Sequence, residues 1–285
     1  MKIERWLCAV ALVTWSAAAC PAVPVPVVSQ VHVVSVHVRD RAAFDAVFLL
    51  FKDALQLPLV YGELSKPGNE TRTLYAGFSV GNAYLEPCYK SDAPYPPGQS
   101  ARFHGLTFSP ATSMTETVSL LGPRGLTYSG PFGGGDRPLF VYLSDPMLTG
   151  ELLTASLWEI QNKQDRVNLR FLGSALEQAK GGALGLKRLA EVRIGHPESN
   201  QPAQWTRLLR PATQKNAAWV LGIGPRLRFV PAKEPQIESI LLQVESLEKA
   251  RVYLRSKGLV GTENSILIEL DPAKTLGLRI QLLAN

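Results

Sequence analysis

The chain repeats one order of predicted elements four times, and this order constrains its fold more than any other feature. Each unit begins with a predicted strand, continues with a helix and closes with further strands, and the first strand, VHVVSVHV, is rich in β-branched residues. In the first unit Asp40 stands before the helix as a natural N-cap, and in the fourth Ser246 does so. The sequence therefore predicts an α+β chain of four βαβββ modules.

Length and composition agree with a well-packed globular chain. The 285 residues are long enough for one large or two ordinary domains, and 46% apolar content supports substantial cores. The formal net charge is +6, but lysine and arginine are scattered along the chain rather than clustered. We therefore expect no nucleic-acid partner.

The first residues have the pattern of an export signal over 1–19. Lys2 and Arg5 flank the start, WLCAVALVTW forms a short apolar core, and small residues precede Cys20. AAAC resembles a bacterial lipobox, although Ala17 stands where a larger aliphatic residue is usual. Either the signal is cleaved in the ordinary way, or Cys20 carries a lipid. The expected location is outside the cytoplasm, as a periplasmic protein or a membrane-anchored lipoprotein whose only membrane contact is that lipid.

The start of the mature chain is predicted to be a Pro-rich tether over 20–29, because PAVPVPVV favours a stiff extended conformation. After removal of the signal, two cysteines remain, Cys20 and Cys88. Either they pair, or lipidation of Cys20 leaves Cys88 as a small buried or cavity-lining thiol.

The fourfold pattern resembles the vicinal oxygen chelate superfamily, which includes glyoxalases, bleomycin-resistance proteins and extradiol dioxygenases. The segments that carry the resemblance are VVSVHVRDRAAFDAVFLLFKDALQLPLVY, ESILLQVESLEKARVYLRSKGL and DPAKTLGLRIQLL. The resemblance implies that two modules form one half-open barrel, so four modules form two tandem glyoxalase-like barrels. The expected divisions are a first domain at 30–163, a linking helix at 164–184 and a second domain at 185–285. Such modules often pair by their edges, which makes a homodimer a further expectation.

The resemblance also implies a divalent metal, Zn, Ni, Fe or Mn, held by residues from the first and last strands of each module. Glu86 in YLEP and Glu159 in LWEI match the place of the superfamily's ligand glutamate. If both first strands are shifted alike, His32 and His104 complete a set of two histidines and two glutamates.

The strand register decides whether those histidines enter the barrel. The superfamily's histidine position falls near Val33, so a ligand role for His32 requires a β-bulge or a register shift. His104 shares its face with Leu106 and Phe108 in a regular strand, and a slip by one residue reverses the faces. The alternative is that both histidines are core or edge residues.

Alternation along the strands predicts further residues that line the cavity. Tyr84, Glu86 and Cys88 share one face of their strand, and His37 and Arg39 share a polar face of the first strand. We therefore expect His37, Arg39, Tyr84 and Cys88 to contact a small-molecule ligand. Without a metal, the two glutamates would repel each other, and one would be protonated or paired with Arg39.

The second pair of modules is poor in metal ligands. Its first strands offer Glu191 and Arg193, and Gln281 stands where the superfamily often has glutamate. No histidine lies at these positions, so the second barrel is predicted to be structural or to bind a ligand without a metal.

Together with the resemblance, these residues predict a metal-assisted lyase, isomerase or oxygenase that acts on a small oxygenated molecule. Glu86 or Glu159 would be the catalytic base that moves a proton. Two alternatives stay open: a metal-free module that binds or sequesters a small molecule, and a surface protein whose barrels present an interface to a partner.

Overall fold

The computed structural model describes residues 25–62, 75–89, 95, 99–134, 137–159, 172–198 and 202–284. The predicted signal peptide, Cys20, part of the tether and the beginning of the linking helix lie outside the described residues. Within those ranges, no helix is both long and apolar enough to cross a membrane.

The first two modules form one eight-stranded sheet. Its strands are β1 (Val28–Val38), β2 (Leu59–Gly62), β3 (Ala76–Ser79), β4 (Tyr84–Tyr89), β5 (Ala101–Pro110), β6 (Tyr128–Gly134), β7 (Arg137–Leu143) and β8 (Thr154–Glu159). They are arranged in the order β2-β3-β4-β1-β5-β8-β7-β6. The first strands of the two modules, β1 and β5, are therefore antiparallel neighbours at the centre of the sheet.

The last two modules repeat this arrangement strand for strand. They supply β9 (Leu186–His196), β10 (Thr213–Lys215), β11 (Ala218–Val220), β12 (Arg226–Pro231), β13 (Gln236–Val244), β14 (Val260–Glu263), β15 (Leu267–Leu270) and β16 (Ile280–Leu283). The order is β10-β11-β12-β9-β13-β16-β15-β14. Both sheets remain open at their edge strands, which confirms the predicted α+β fold of four modules in two half-open units.

Five α-helices lie among the described residues: α1 (Arg41–Leu49), α2 (Met114–Leu121), α3 (Leu172–Gln178), α4 (Ala203–Leu209) and α5 (Leu247–Ser256). Helix α1 continues into a π-helical turn, Leu50–Ala54. The predicted caps are present, because the side chain of Asp40 accepts from Ala43 N at 2.8 Å and that of Ser246 accepts from Lys249 N at 3.2 Å. Each cap satisfies a backbone N–H that has no partner within its own helix.

The Asp40→Ala substitution should lower the free energy of unfolding by about 1 kcal/mol, because it removes the acceptor for the Ala43 N–H. The hydrogen bond from the Ala43 backbone also lowers the pKa of the Asp40 carboxyl, so the cap is charged at neutral pH. Urea unfolding of this variant beside Asp40→Asn, which keeps a capping oxygen, measures the effect. Equal losses in the two variants would contradict a capping role.

The helices cover one face of each sheet, here called the helix face, and the buried side chains there form a single apolar core. Val34 and Val36 of β1 and Val192 and Ile194 of β9 all belong to this one cluster. Polar bonds join the two sheets as well: the Asn82 side chain donates to Leu189 O at 3.0 Å and accepts from Leu189 N at 3.0 Å. The two halves of the chain therefore pack against each other and share one core.

Each central strand carries a register shift at the same place in its module. In β1 the shift lies between Val31 and Val33, and in β5 it lies opposite Ser35 and Val36, where His104 is the extra residue. The strand pair β9 and β13 has matching shifts, with Ala190 and Glu238 as the extra residues. Each extra residue reverses which of the following side chains point to the helix face and which point away from it. The face opposite the helices is here called the open face.

Candidate functional site

The open face of the first sheet is lined by the side chains that alternate with the core residues of β1 and β4. Val33 of β1 pairs with Tyr84 of β4, and Ser35 pairs with Glu86 two residues further on. Val34 and Leu85 between them point to the helix face and are fully buried in the core. The register of the strands therefore places Tyr84 and Glu86 on the open face, which agrees with the prediction that both face away from the apolar side of their strand.

Glu86 and Tyr61 form the central polar contact on this face. The Tyr61 hydroxyl donates to Glu86 Oε2 at 2.5 Å. Burial raises the pKa of the Glu86 carboxyl, and the hydrogen bond from Tyr61 opposes that shift. Burial likewise raises the pKa of Tyr61 far above its usual range, so the hydroxyl keeps its proton and remains the donor.

Aromatic rings surround this pair. The rings of Tyr61 and Tyr84 lie edge to face with their centroids 5.5 Å apart. Tyr84 and Val33 form a small apolar cluster of their own, and Tyr61 and Trp158 pack against it. Trp158 in turn stacks on Phe140 at 5.6 Å with nearly parallel planes. The carboxyl group of Glu86 thus lies beside a patch of aromatic surface.

His32 lies at the far end of the same patch, one residue before Val33. The register shift that a ligand role for His32 requires is present. Its imidazole is fully buried, lies 5.0 Å from the ring of Trp158, and has Nδ1 3.0 Å from Ser109 Oγ. Nε2 of His32 has no hydrogen-bond partner among the described residues. Burial lowers the pKa of this imidazole to about 3, so His32 is neutral at physiological pH.

The second histidine, His104, lies beside His37 rather than beside His32. The rings of His37 and His104 stack with their centroids 3.7 Å apart, and both side chains are buried. His37 is paired across the strands with Cys88 of β4, which is half-buried on the same face. His37 and Cys88 therefore face the open side as predicted, with His104 filling the space over His37.

Glu159 does not join this face, and the prediction that it does so is wrong. Ala155 and Leu157 of β8 belong to the core on the helix face, and alternation places Glu159 with them. Its carboxylate accepts from the backbone N–H of Met114, the first residue of α2, at 3.0 Å. Glu159 therefore supports the start of a helix, and Leu157 and Ala155, two and four residues earlier, are the sequence signal for this orientation.

The strand register identifies Ser156, not Glu159, as the counterpart of Glu86. Gly105 pairs with Thr154 as Val33 pairs with Tyr84, so Thr107 and Ser156 take the places of Ser35 and Glu86. The hydroxyls of Thr107 and Ser156 lie 3.0 Å apart. Among the described strand residues of the first sheet, Glu86 is therefore the one carboxylate on the open face, where two were predicted.

The four predicted metal ligands do not form one site. Glu159 is on the helix face, His104 is stacked on His37, and His32 contacts Trp158 and Ser109. In the part of the chain that the structure describes, no group of three or more His, Cys, Asp and Glu side chains is placed to hold a metal ion. The donor set thus does not fit the metal centre that the fold resemblance implies.

Arg39 was predicted as a partner for the carboxylates or a ligand contact, and its contacts lie elsewhere. Its Nε is 3.3 Å from Asp40 Oδ2, and its Nη2 donates to Ser100 Oγ at 3.4 Å. The group that meets Glu86 is the hydroxyl of Tyr61, which no local sequence pattern predicts. Tyr61 lies on β2, and only the pairing of β2 with β3 and of β3 with β4 brings the two side chains together.

Known structures support the fold. No protein-family profile and no curated protein matches this sequence. A variant of homoprotocatechuate 2,3-dioxygenase from Brevibacterium fuscum superposes with a TM-score of 0.60 and 13% identity, covering 93% of this chain and 74% of the other. The Mn(II)-bound glyoxalase from Novosphingobium aromaticivorans gives a TM-score of 0.58 and 12% identity, covering 91% of this chain and 83% of the other. Both are members of the vicinal oxygen chelate superfamily, so the fold expected from the resemblance is confirmed.

Proposed function

We propose that the open face of the first sheet binds a small organic molecule that carries a positively charged or hydrogen-bond-donating group. The observation that carries this proposal is the contact between Tyr61 and Glu86 at 2.5 Å beside the aromatic rings of Tyr84 and Trp158. The ligand is held by Glu86 directly, without a metal ion between them. This is the binding-module alternative from the sequence, with one carboxylate as its anchor.

The energetics of a half-buried carboxyl group favour such a ligand. Burial disfavours the charged form of Glu86, and a cation placed against it would offset that cost. Trp158 is only partly buried, and its ring would attract the same cation, since aromatic rings carry negative charge density on their faces. An ammonium group attached to an apolar body meets both requirements, because the body covers the aromatic patch.

The Glu86→Gln substitution should weaken binding of an aromatic quaternary ammonium by about tenfold or more, because it removes the charge and keeps the shape. Benzyltrimethylammonium is a suitable probe, and benzyl alcohol is its uncharged counterpart. Calorimetry and thermal unfolding measure the affinity for each. Glu177→Gln on α3 removes the same charge from an exposed position and serves as the matched control.

Three results would contradict the proposal. The first is that the ammonium binds no better than the alcohol, and the second is equal weakening by the two glutamate substitutions. The third is loss of binding on treatment with a chelator. Metal analysis of the purified protein and of Glu86→Gln gives independent evidence: stoichiometric metal that depends on Glu86 would favour the metal-assisted enzyme class to which the structural neighbours belong.

We also propose that the protein works after export, on the strength of the signal pattern at residues 1–19. Mass spectrometry of the mature amino terminus from the native host tests this. A chain that begins at Cys20 with added acyl mass supports the lipoprotein form, and an unmodified start supports ordinary cleavage. A chain that still begins at Met1 would contradict export by this signal.

A further inference from the structure

The open face of the second sheet carries three arginines around one buried carboxylate. Glu191 and Arg193 alternate along β9, and Arg226 and Arg228 alternate along β12. The strands pair Arg226 with Glu191 and Arg228 with Arg193, so all four side chains lie on the same face. This group is here called the arginine cluster.

Glu191 is the centre of the arginine cluster. Its Oε1 lies 2.8 Å from Arg228 Nε and 3.2 Å from Arg193 Nε, and its Oε2 lies 3.8 Å from Arg226 Nη2. The Glu191 side chain is only 2% exposed, whereas those of Arg226, Arg228 and Arg193 are 38%, 29% and 32% exposed. The carboxylate is therefore below the guanidinium groups, which face outward above it.

One carboxylate cannot neutralise three guanidinium groups, so the arginine cluster has two positive charges in excess. Each guanidinium has five N–H groups, and only some of them are used. Arg193 Nη1 donates to Gln281 Oε1 at 3.0 Å and Arg228 Nη1 to Asn216 O at 2.9 Å. The Arg226 side chain donates no hydrogen bond to any described residue and holds only its 3.8 Å ion pair. Free donors and unbalanced positive charge therefore lie together on an accessible surface.

The same positions in the first sheet have the opposite character. Glu191 follows the bulge of β9 as Val33 follows that of β1, so Arg226 corresponds to Tyr84 and Arg228 corresponds to Glu86. The modules thus present an acidic, aromatic face in one half and a basic face in the other. The two halves share the same strand arrangement, but the equivalent position carries a negative charge in one half, Glu86, and a positive charge in the other, Arg228.

We propose that the arginine cluster is a binding site for a small oxyanion, that is, a phosphate or carboxylate group of a ligand. Guanidinium forks match the spacing of oxygen atoms in both groups and donate paired hydrogen bonds to them. Two excess positive charges suit a dianion, and Gln281 and the backbone at Asn216 fix the orientation of two of the arginines. This site is separate from Glu86 and needs no ligand there.

Calorimetric titration of the purified protein with inorganic phosphate and with succinate, at constant ionic strength and with chloride as the background anion, tests the site. We expect saturable binding of at least one of the two dianions. Arg226→Gln should weaken that binding by about tenfold, since it removes one charged donor. Arg255→Gln on α5, which removes the same charge from a side chain 61% exposed, should leave it unchanged. The stronger of the two probes identifies the source as a phosphorylated or a carboxylated ligand.

Glu191→Gln gives a second test, because an ion network with a purely structural role would not bind a dianion more tightly after this substitution. Removing the competing carboxylate should increase the affinity for the dianion several-fold, provided that circular dichroism shows the native fold. If Glu191→Gln does not fold, the comparison of Arg226→Gln with Arg255→Gln stands alone. No saturable binding of phosphate or succinate, or equal weakening by the two arginine substitutions, would overturn the proposal.

Discussion

Acidification from pH 7 to pH 3 should remove about 4 kcal/mol of the free energy of unfolding through His32 alone. Burial lowers the pKa of this imidazole from 6.5 to about 3 in the folded protein. Between these values the unfolded chain binds a proton that the folded chain does not. The contribution is therefore complete above about pH 6.5, and it is lost as the pH falls toward the folded value.

The measurement is urea unfolding at several pH values for the native protein and for His32→Gln, whose amide oxygen can accept from Ser109. The native protein should lose about 1.4 kcal/mol per pH unit more than the variant between pH 6 and pH 4. The difference between the two curves isolates His32 from other groups, including Glu86, whose raised pKa acts in the opposite direction. Parallel curves over this range would mean that His32 is not held neutral by burial.

Replacement of Trp205 by alanine should cost about 3 to 5 kcal/mol of stability. Trp205 of α4 is fully buried between the two sheets, with its ring 6.3 Å from Phe108 of β5 and 5.3 Å from Phe229 of β12. Its Nε1 donates to Met147 O at 3.1 Å. The substitution therefore leaves a cavity at the junction of the two halves and removes a buried hydrogen bond.

Trp205→Phe is the matched variant, because it keeps an aromatic ring in the core and loses the indole N–H and part of the volume. We expect a cost for it of about 1 to 2 kcal/mol. Calorimetry also records how the halves unfold: the native protein should show one transition, and Trp205→Ala should show a broader or divided one. A loss below about 1 kcal/mol for alanine would contradict the view that this residue joins the sheets.

The sequence predicted the inward position of Glu86 correctly and that of Glu159 wrongly, for one physical reason. Alternation tells which side chains share a face, but it does not tell which face packs on the helices. For Glu86, its neighbours Leu85 and Pro87 supplied the apolar side. For Glu159, the match to a ligand glutamate predicts the open face, whereas Ala155 and Leu157, the core residues of that strand, indicate the helix face.

The arginine cluster was only half visible in the sequence. Glu191 and Arg193 were recognised as residues of a first strand without histidine, but Arg226 and Arg228 lie more than thirty residues later. The alternation in RLRF indicates one charged face of a strand, yet nothing local shows which strand is its neighbour. The parallel pairing of β12 with β9 is what places the four charges together.

The sequence by itself determined the elements of this protein and their fourfold order, since caps, apolar periodicity and strand composition depend on neighbours a few residues apart. It also predicted that Tyr84, Glu86 and Cys88 share one face of their strand and that His37 lies on the polar face of the first strand. Only the tertiary structure decided which side chains meet: the bulges that separate His32 from His104, the hydroxyl of Tyr61 that reaches Glu86, and the arginines that enclose Glu191. These contacts depend on register between distant strands, and a shift of one residue there moves every side chain to the opposite face.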